Sequence, residues 1–143
     1  MEKIEEARQR KLSGRWNCAQ AVSCTFSSEV GADEEALAPL AAAFGTGMGC
    51  LEGTCGALVG AGLILGIHHK GNRPEAMKAM RRIMTKFSAR NGATLCKTLK
   101  GVGTGRPLRA CEDCVADAAE FLEEELRAEK QTINNRLPTP IEL

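Results

Sequence analysis

Cysteine is the residue in excess. Seven occur in 143 residues, at Cys18, Cys24, Cys50, Cys55, Cys96, Cys111 and Cys114. A thiolate is a nucleophile, a redox group and a soft metal ligand. Such a set therefore opens three chemistries: iron–sulfur ligation, thiol–disulfide exchange and zinc binding. An odd number does not close into a disulfide framework. The N-terminal MEKIEEARQRKLSG is charged and amphipathic, without the apolar stretch or cleavage site of a secretory signal, and Arg81-Arg82 is internal. A cytoplasmic, reducing location is expected, where structural disulfides are rare.

The short motifs exclude more than they assign. Cys111 to Cys114 is a CxxC, but no second one completes a zinc knuckle. Val115 stands where a haem-attachment motif needs His, and no strand offers a thioredoxin-like context. The glycine-rich stretch GTGMGCLEG at 45–53 lacks the Gly-Lys-Ser/Thr of a phosphate loop and the GxGxxG of a dinucleotide site. Its glycines can instead bring backbone close to a cofactor beside Cys55. Cys50 on this loop is an exchangeable ligand candidate, and Glu52 is the loop's single carboxylate. Cys24, six residues after Cys18, lies about 120° round the same helix and is expected to pack.

The elements that must position these thiols are helices throughout. A charged helix spans 2–12. Asn17 caps a second, with Cys18, Val22 and Phe26 on one face and Gly31 as its stop. Asp33 opens a third, expected to bury Leu37, Leu40 and Phe44, with Pro39 bending it. After the glycine loop, Thr54 is the expected cap of CGALVGAGLILGI. This run has no polar side chain from Gly56 to Ile67 and must be central. At about 18 Å it is too short for a membrane span. Its glycines allow close helix packing. His68 and His69 at its end read as ordinary C-terminal basic residues. Pro74 starts a fifth helix with Met77, Met80, Met84 and Phe87 as its core stripe. A short helix from Thr94 carries Cys96. The last runs from Arg109 to Lys130, with Val115, Ala118, Leu122 and Leu126 as its seam. The expected fold is an all-α, compact bundle of about five main helices plus short ones, around a central Gly/Ala-rich apolar helix. It forms one domain over 1–130, with a Pro-containing tail at 131–143.

On this map Cys18, Cys55, Cys96 and the Cys111/Cys114 pair all fall at helix starts. Unpaired N–H groups and the helix dipole favour thiolates there. Four such thiolates suit an iron–sulfur cluster, a tetrahedral metal, or thiols built to react. Lys plus Arg is 19 against 18 for Asp plus Glu, a net charge of +1, and aromatics are one Trp and four Phe without Tyr. That balance leaves neither a polyanion-binding surface nor a base-stacking platform, so no nucleic acid is expected.

NCAQAV around Cys18, GMGCLEGTCGALVGAGLILG around Cys55, the later Cys96, and Cys114 leading into VADAAEFLEEEL resemble the C_GCAxxG_C_C family of redox-active, four-cysteine proteins. The likeness covers residues 14–127. The family's cysteines map onto Cys18, Cys55, Cys96 and Cys114, and its glycine motif onto Cys55, Gly56, Ala57 and Gly60; Cys111 is an extra beside Cys114. The resemblance implies redox chemistry and names neither cofactor nor substrate. Selenocysteine-containing members imply thiol chemistry. A related module beside haem domains in split-Soret cytochromes implies electron transfer.

Three readings follow. In the first, Cys18, Cys55, Cys96 and Cys114, with Gly53 and Gly56 lining the site and Cys111 or Cys50 as the alternative ligand, hold an iron–sulfur cluster for electron transfer or redox sensing. In the second, no cofactor is present and Cys55 is the attacking thiolate of a thiol oxidoreductase. In the third, the cysteines hold zinc in a structural or interaction module. The expected partner is a redox protein of unknown identity, and the chain can form a homo-oligomer.

Overall fold

The glycines of the apolar helix decide how the fold is assembled. In the computed structural model, which describes residues 2–135 with side chains through 128, this helix is α4, Gly56–His68, the fourth of seven. The others are α1 Glu2–Leu12, α2 Cys18–Phe26, α3 Glu34–Ala41, α5 Arg73–Asn91, α6 Cys96–Lys100 and α7 Cys111–Asn135. Helix α4 packs against α2, α5 and α7, and α1 covers α2 and α7. The closest approach is at Gly60, where a Cβ would lie 2.5 Å from the carbonyl oxygen of Ala19 on α2. Any side chain there would push the two helices apart. The core gathers around this contact: Ala21, Val22 and Phe26 of α2, Leu58, Ala61 and Ile64 of α4, and Val115, Ala118 and Leu122 of α7.

The fold is all-α, as the periodicity predicts. Among the described residues the one β feature is an isolated antiparallel bridge between Thr54 and Leu95. No described helix is long and apolar enough to cross a membrane.

Two buried stripes differ from expectation. Leu37 is buried, Phe44 half-buried, and Leu40 is 59% exposed. Pro39 sits inside α3, which tightens into a 3-10 turn, Ala42–Phe44, immediately after Ala41. Within α3 the buried positions are Leu37 and Ala41, one turn apart, and Leu40 lies about 100° round the helix from Ala41, facing outward. On α5 the seam is Ala79, Ile83, Phe87 and Asn91. Met80 and Met84 flank it and Met77 is exposed. The methionine stripe lies one position round the helix from the true face, sharing only Phe87 with it. Helix α2 stops at Phe26 and continues as a 3-10 turn, Ser27–Val30, closed by left-handed Gly31. The last helix runs to Asn135, past the expected end at Lys130. The rest of the expected tail, 136–143, lies outside the described residues.

Candidate functional site

Five of the seven cysteines line one pocket. They are Cys18, Cys55, Cys96, Cys111 and Cys114, joined by Lys11, Asn17, Thr46, Gly56, Leu99, Lys100 and Arg109. None is in a disulfide.

Each thiol is placed by local chemistry. Cys18 is the first residue of α2, fixed by a reciprocal cap. The Gln20 N–H donates to Asn17 Oδ1 at 2.8 Å, and the Asn17 N–H donates to Gln20 Oε1 at 3.0 Å. Asn17 Nδ2 also donates to the carbonyl of Ala42 at 3.1 Å, tying the cap to the chain that enters the glycine loop.

Cys55 is itself the N-cap of α4, where the sequence favoured Thr54. Thr54 is drawn into the bridge with Leu95 instead. Around that bridge the Cys55 N–H donates to the Thr94 carbonyl at 2.8 Å, and the Cys96 N–H to the Gly53 carbonyl at 3.0 Å. This short pairing lays Cys55 beside Cys96 across the forty residues of chain between them. It also makes Leu95, not Thr94, the residue that precedes α6.

The glycine loop is not open. Thr46, Gly47, Met48 and Gly49 all have positive φ, forming a left-handed turn. Such a run is costly for Thr and Met and persists only where the surroundings enforce it. What enforces it here is contact. A Cβ on Gly47 would sit 2.5 Å from Cys96 Cβ, and one on Gly56 would sit 3.3 Å from Cys18 Cβ. Glycine thus lets backbone press directly on the thiols. Gly56 lines the pocket; Gly53 is not among its lining residues and acts through its carbonyl.

The remaining cysteines lie apart from the pocket lining. Cys24 is buried, with its sulfur 4.0 Å from the Glu34 carbonyl oxygen, as expected of a packing residue. Cys50 is exposed, its thiol directed at the Gly47 carbonyl at 3.8 Å. Glu52 is exposed and pairs with Lys97. His68 and His69 meet edge to face at the end of α4 and do not line the pocket.

The pocket thiols form two hydrogen-bonded dyads. The Cys18 S–H donates to Cys111, which pulls the Cys111 thiol down to about 6 against the cost of burial, with Lys100 and Lys11 assisting. Cys18 is correspondingly pushed up, by that hydrogen bond and by burial. In the second dyad the Cys114 S–H donates to Cys55. Together with the N–H groups of Ala57 and Leu58 at the start of α4, it lowers Cys55. Cys114 is raised by the same bond and by burial. Cys96 is raised by burial, opposed by Lys100. The first dyad therefore holds a Cys111 thiolate beside a Cys18 thiol at neutral pH, and the second is biased in the same sense toward Cys55.

Cys111 is only half-buried, whereas the other four are buried. In the reduced, metal-free protein its alkylation by iodoacetamide should climb through pH 6 and level off by about pH 8. An ordinary cysteine titrates near 8.5 and keeps accelerating over that range. Peptide mapping by mass spectrometry measures the rate at each cysteine, and an ordinary profile at Cys111 would refute the Cys18 dyad.

Arg109 reaches the pocket from a fixed base. Its Nε and Nη2 each donate to the buried Asp117 carboxylate at 3.0 Å, which also accepts from Arg90 at 2.9 Å and Asn91 at 3.1 Å. Asp117 lies three residues beyond Cys114 on α7, so the helix that presents the thiol also anchors the cation. Asp117→Ala would leave these donors without their acceptor. It should lower stability by about 2 kcal/mol, because the buried Asn91 amide loses its acceptor while the partly exposed Arg90 and Arg109 guanidinium groups regain water and Arg90 keeps Glu120. Urea unfolding measures this, and a loss no larger than at an exposed ion pair such as Lys86–Glu124 would contradict it.

Among the described residues, no three His, Cys, Asp or Glu side chains stand in the arrangement that holds a single metal ion. Tetrahedral zinc requires four donors on one centre, so it does not fit these thiols as they stand. An iron–sulfur cluster makes a different demand. Its irons are largely ligated by sulfide, and each takes only one or two protein thiolates, so the thiols must surround a volume without converging on a point. Five thiols from α2, α4, α6 and α7 line one pocket with Lys11, Lys100 and Arg109, which is the type of donor set and of balancing charge that such a cluster takes.

The sequence model of a family described as "Putative redox-active protein (C_GCAxxG_C_C)" matches residues 16–125. No curated protein and no solved structure is significantly similar to the chain.

Proposed function

Because the chain belongs to the redox-active C_GCAxxG_C_C family, we propose that it transfers electrons through an iron–sulfur cluster held at the thiol pocket. Cys18, Cys55 and Cys96 would each supply a thiolate, and α7 the fourth, from Cys114 or Cys111. The observation that carries this reading is the gathering of five unbonded thiols from four helices around one pocket. When bound, such a cluster supplies reversible one-electron chemistry. The chain's own residues do the rest. The helix starts at Cys18 and Cys55 favour thiolate ligands. Gly47 and Gly56 bring backbone within contact of the sulfurs, and Lys11, Lys100 and Arg109 offset negative charge. Burial of Cys18, Cys55, Cys96 and Cys114 keeps water from the ligands. Anaerobic incubation with ferrous iron and sulfide should give a brown protein with visible charge-transfer absorption that bleaches on reduction. A colourless protein would refute the reading.

A second reading is favoured by the dyads. With no cofactor, the half-exposed Cys111 thiolate would attack a partner's disulfide, forming a mixed disulfide and releasing one partner thiolate. Cys18, losing its proton to solvent, would then attack Cys111 sulfur. This leaves a Cys18–Cys111 disulfide and releases the second partner thiolate: two electrons pass from protein to partner. Here the attacking sulfur is Cys111 and not Cys55, because Cys55 is buried. Trapping a mixed disulfide in Cys18→Ser, at Cys111 alone, would favour this reading over the cluster.

A further inference from the structure

We propose that the mouth of the thiol pocket is a docking surface for the acidic face of a partner electron-transfer protein, an inference that rests on the electron-transfer reading of that pocket. Two independent observations lead to it.

The first is charge. Lys11 and Lys100 line the pocket, and neither has an ion pair among the described residues. Of the other lysines with described side chains, Lys3, Lys78, Lys86 and Lys97 each pair with a glutamate, and only Lys70 does not. Arg109 is already paired with Asp117, but Arg15 and Arg106 are exposed on the adjoining chain segments, and neither has an ion pair among the described residues. A chain of net charge +1 thus places four cations without a carboxylate partner, Lys11, Lys100, Arg15 and Arg106, in or beside the segments that line one opening.

The second is apolar exposure. Among the described residues eight large hydrophobic side chains are exposed, and five of them, Leu12, Met48, Leu95, Val102 and Leu108, lie one or two residues along the chain from a pocket-lining residue. Their sequence neighbours at the pocket are Lys11, Thr46, Cys96, Lys100 and Arg109 respectively. An apolar patch with a charged rim is the anatomy of a protein interface, and steering by complementary charge is how fast, short-lived complexes form. Electron-transfer complexes are small and weak, so a few such side chains suffice. The buried sulfurs make close approach at this opening necessary. The spread of apolar residues over separate segments fits a protein surface and exceeds what a small anion would cover.

The test is an NMR titration of the full, isotopically labelled, metal-free chain with oxidised acidic flavodoxin as the probe. Basic cytochrome c is the counter-probe and citrate the small-anion control. Flavodoxin should shift amides of residues 11–15, 46–50 and 95–109, and raising salt from about 20 to about 200 mM should weaken binding roughly tenfold. Lys11→Glu with Lys100→Glu should weaken it by a further factor of about ten at low salt, since like charges across an interface repel. Leu108→Ser, at an exposed position where folding is not at risk, should weaken it several-fold. Shifts on another face, equal binding of cytochrome c, the same response to citrate, or no binding at low salt would each overturn the proposal. Docking is measured without electron flow. A chain that docks flavodoxin here yet assembles no cluster keeps this inference and loses the reading beneath it. A chain that assembles the cluster and binds nothing here does the reverse.

Discussion

Gly60→Ala should destabilise the fold by about 3 kcal/mol, the upper part of the range for overpacked cores. The added Cβ would lie 2.5 Å from the Ala19 carbonyl oxygen and 3.1 Å from its Cα. Both are backbone atoms, so no side chain can swing aside and α2 must move away from α4. A loss of that size lowers the melting temperature by roughly 10 °C in a chain of this length. Gly66→Ala on the same helix is the control. No atom lies within 4 Å of its added Cβ, and alanine's helix propensity should raise stability by up to about 1 kcal/mol. Chemical denaturation of the two variants measures the contrast, and equal effects would contradict this packing. The functional consequence follows from position. Ala19 adjoins Cys18, and Gly60 lies one turn beyond Cys55 in α4. Separating the helices here separates two of the pocket's thiols, so Gly60→Ala should also impair cluster assembly.

The second large effect concerns the cysteines themselves. Cys18→Ser, Cys55→Ser and Cys96→Ser should each abolish stable cluster assembly, a drop of at least tenfold in bound iron after desalting. Serine is a hard, poorly ionised ligand in place of a soft thiolate. Cys24→Ser and Cys50→Ser should retain iron fully, because Cys24 packs against α3 and Cys50 is exposed on the loop. Cys111→Ser and Cys114→Ser distinguish which sulfur of α7 is the fourth ligand: one should behave as a ligand and the other as a bystander. Folding of every variant is followed by circular dichroism, so that loss of iron is not confused with loss of structure. Iron binding that survives serine at Cys18, Cys55 and Cys96 alike would remove the basis of the cluster reading.

Much of this geometry was legible in the residues. Asn17 followed three positions later by Gln20 is a capping signature, and it does place Cys18 at a helix start. An uninterrupted apolar run with regularly spaced glycines could only be a central helix, as Gly56–His68 is. The seam Val115, Ala118, Leu122, Leu126 is buried throughout. The convergence of Cys55 with Cys96 was not legible, because it depends on one bridge between Thr54 and Leu95. Neither segment contains a run of strand-forming residues. The left-handed turn at 46–49 is equally hidden: Thr46 and Met48 adopt it against their own preference where Gly47 packs on Cys96 and Met48 on Gly53. The place of Cys111 in the pocket did have a signal. Residues three apart share a helix face, so the Cys111–Cys114 spacing already put both thiols on one side of α7. The misplaced stripes on α3 and α5 show the limit of periodicity. It finds a helix and its approximate face, but a one-position rotation moves individual side chains from core to solvent.

The central claim is that the pocket thiols hold iron and sulfide. Its most direct measurement is the iron and acid-labile sulfide content of the full chain, purified without oxygen after reconstitution and exhaustive desalting. The account predicts iron and sulfide in equal, stoichiometric amounts per chain, both lost together in Cys55→Ser. Stoichiometric zinc without sulfide, or neither metal nor sulfide with every pocket thiol free to react, would contradict it.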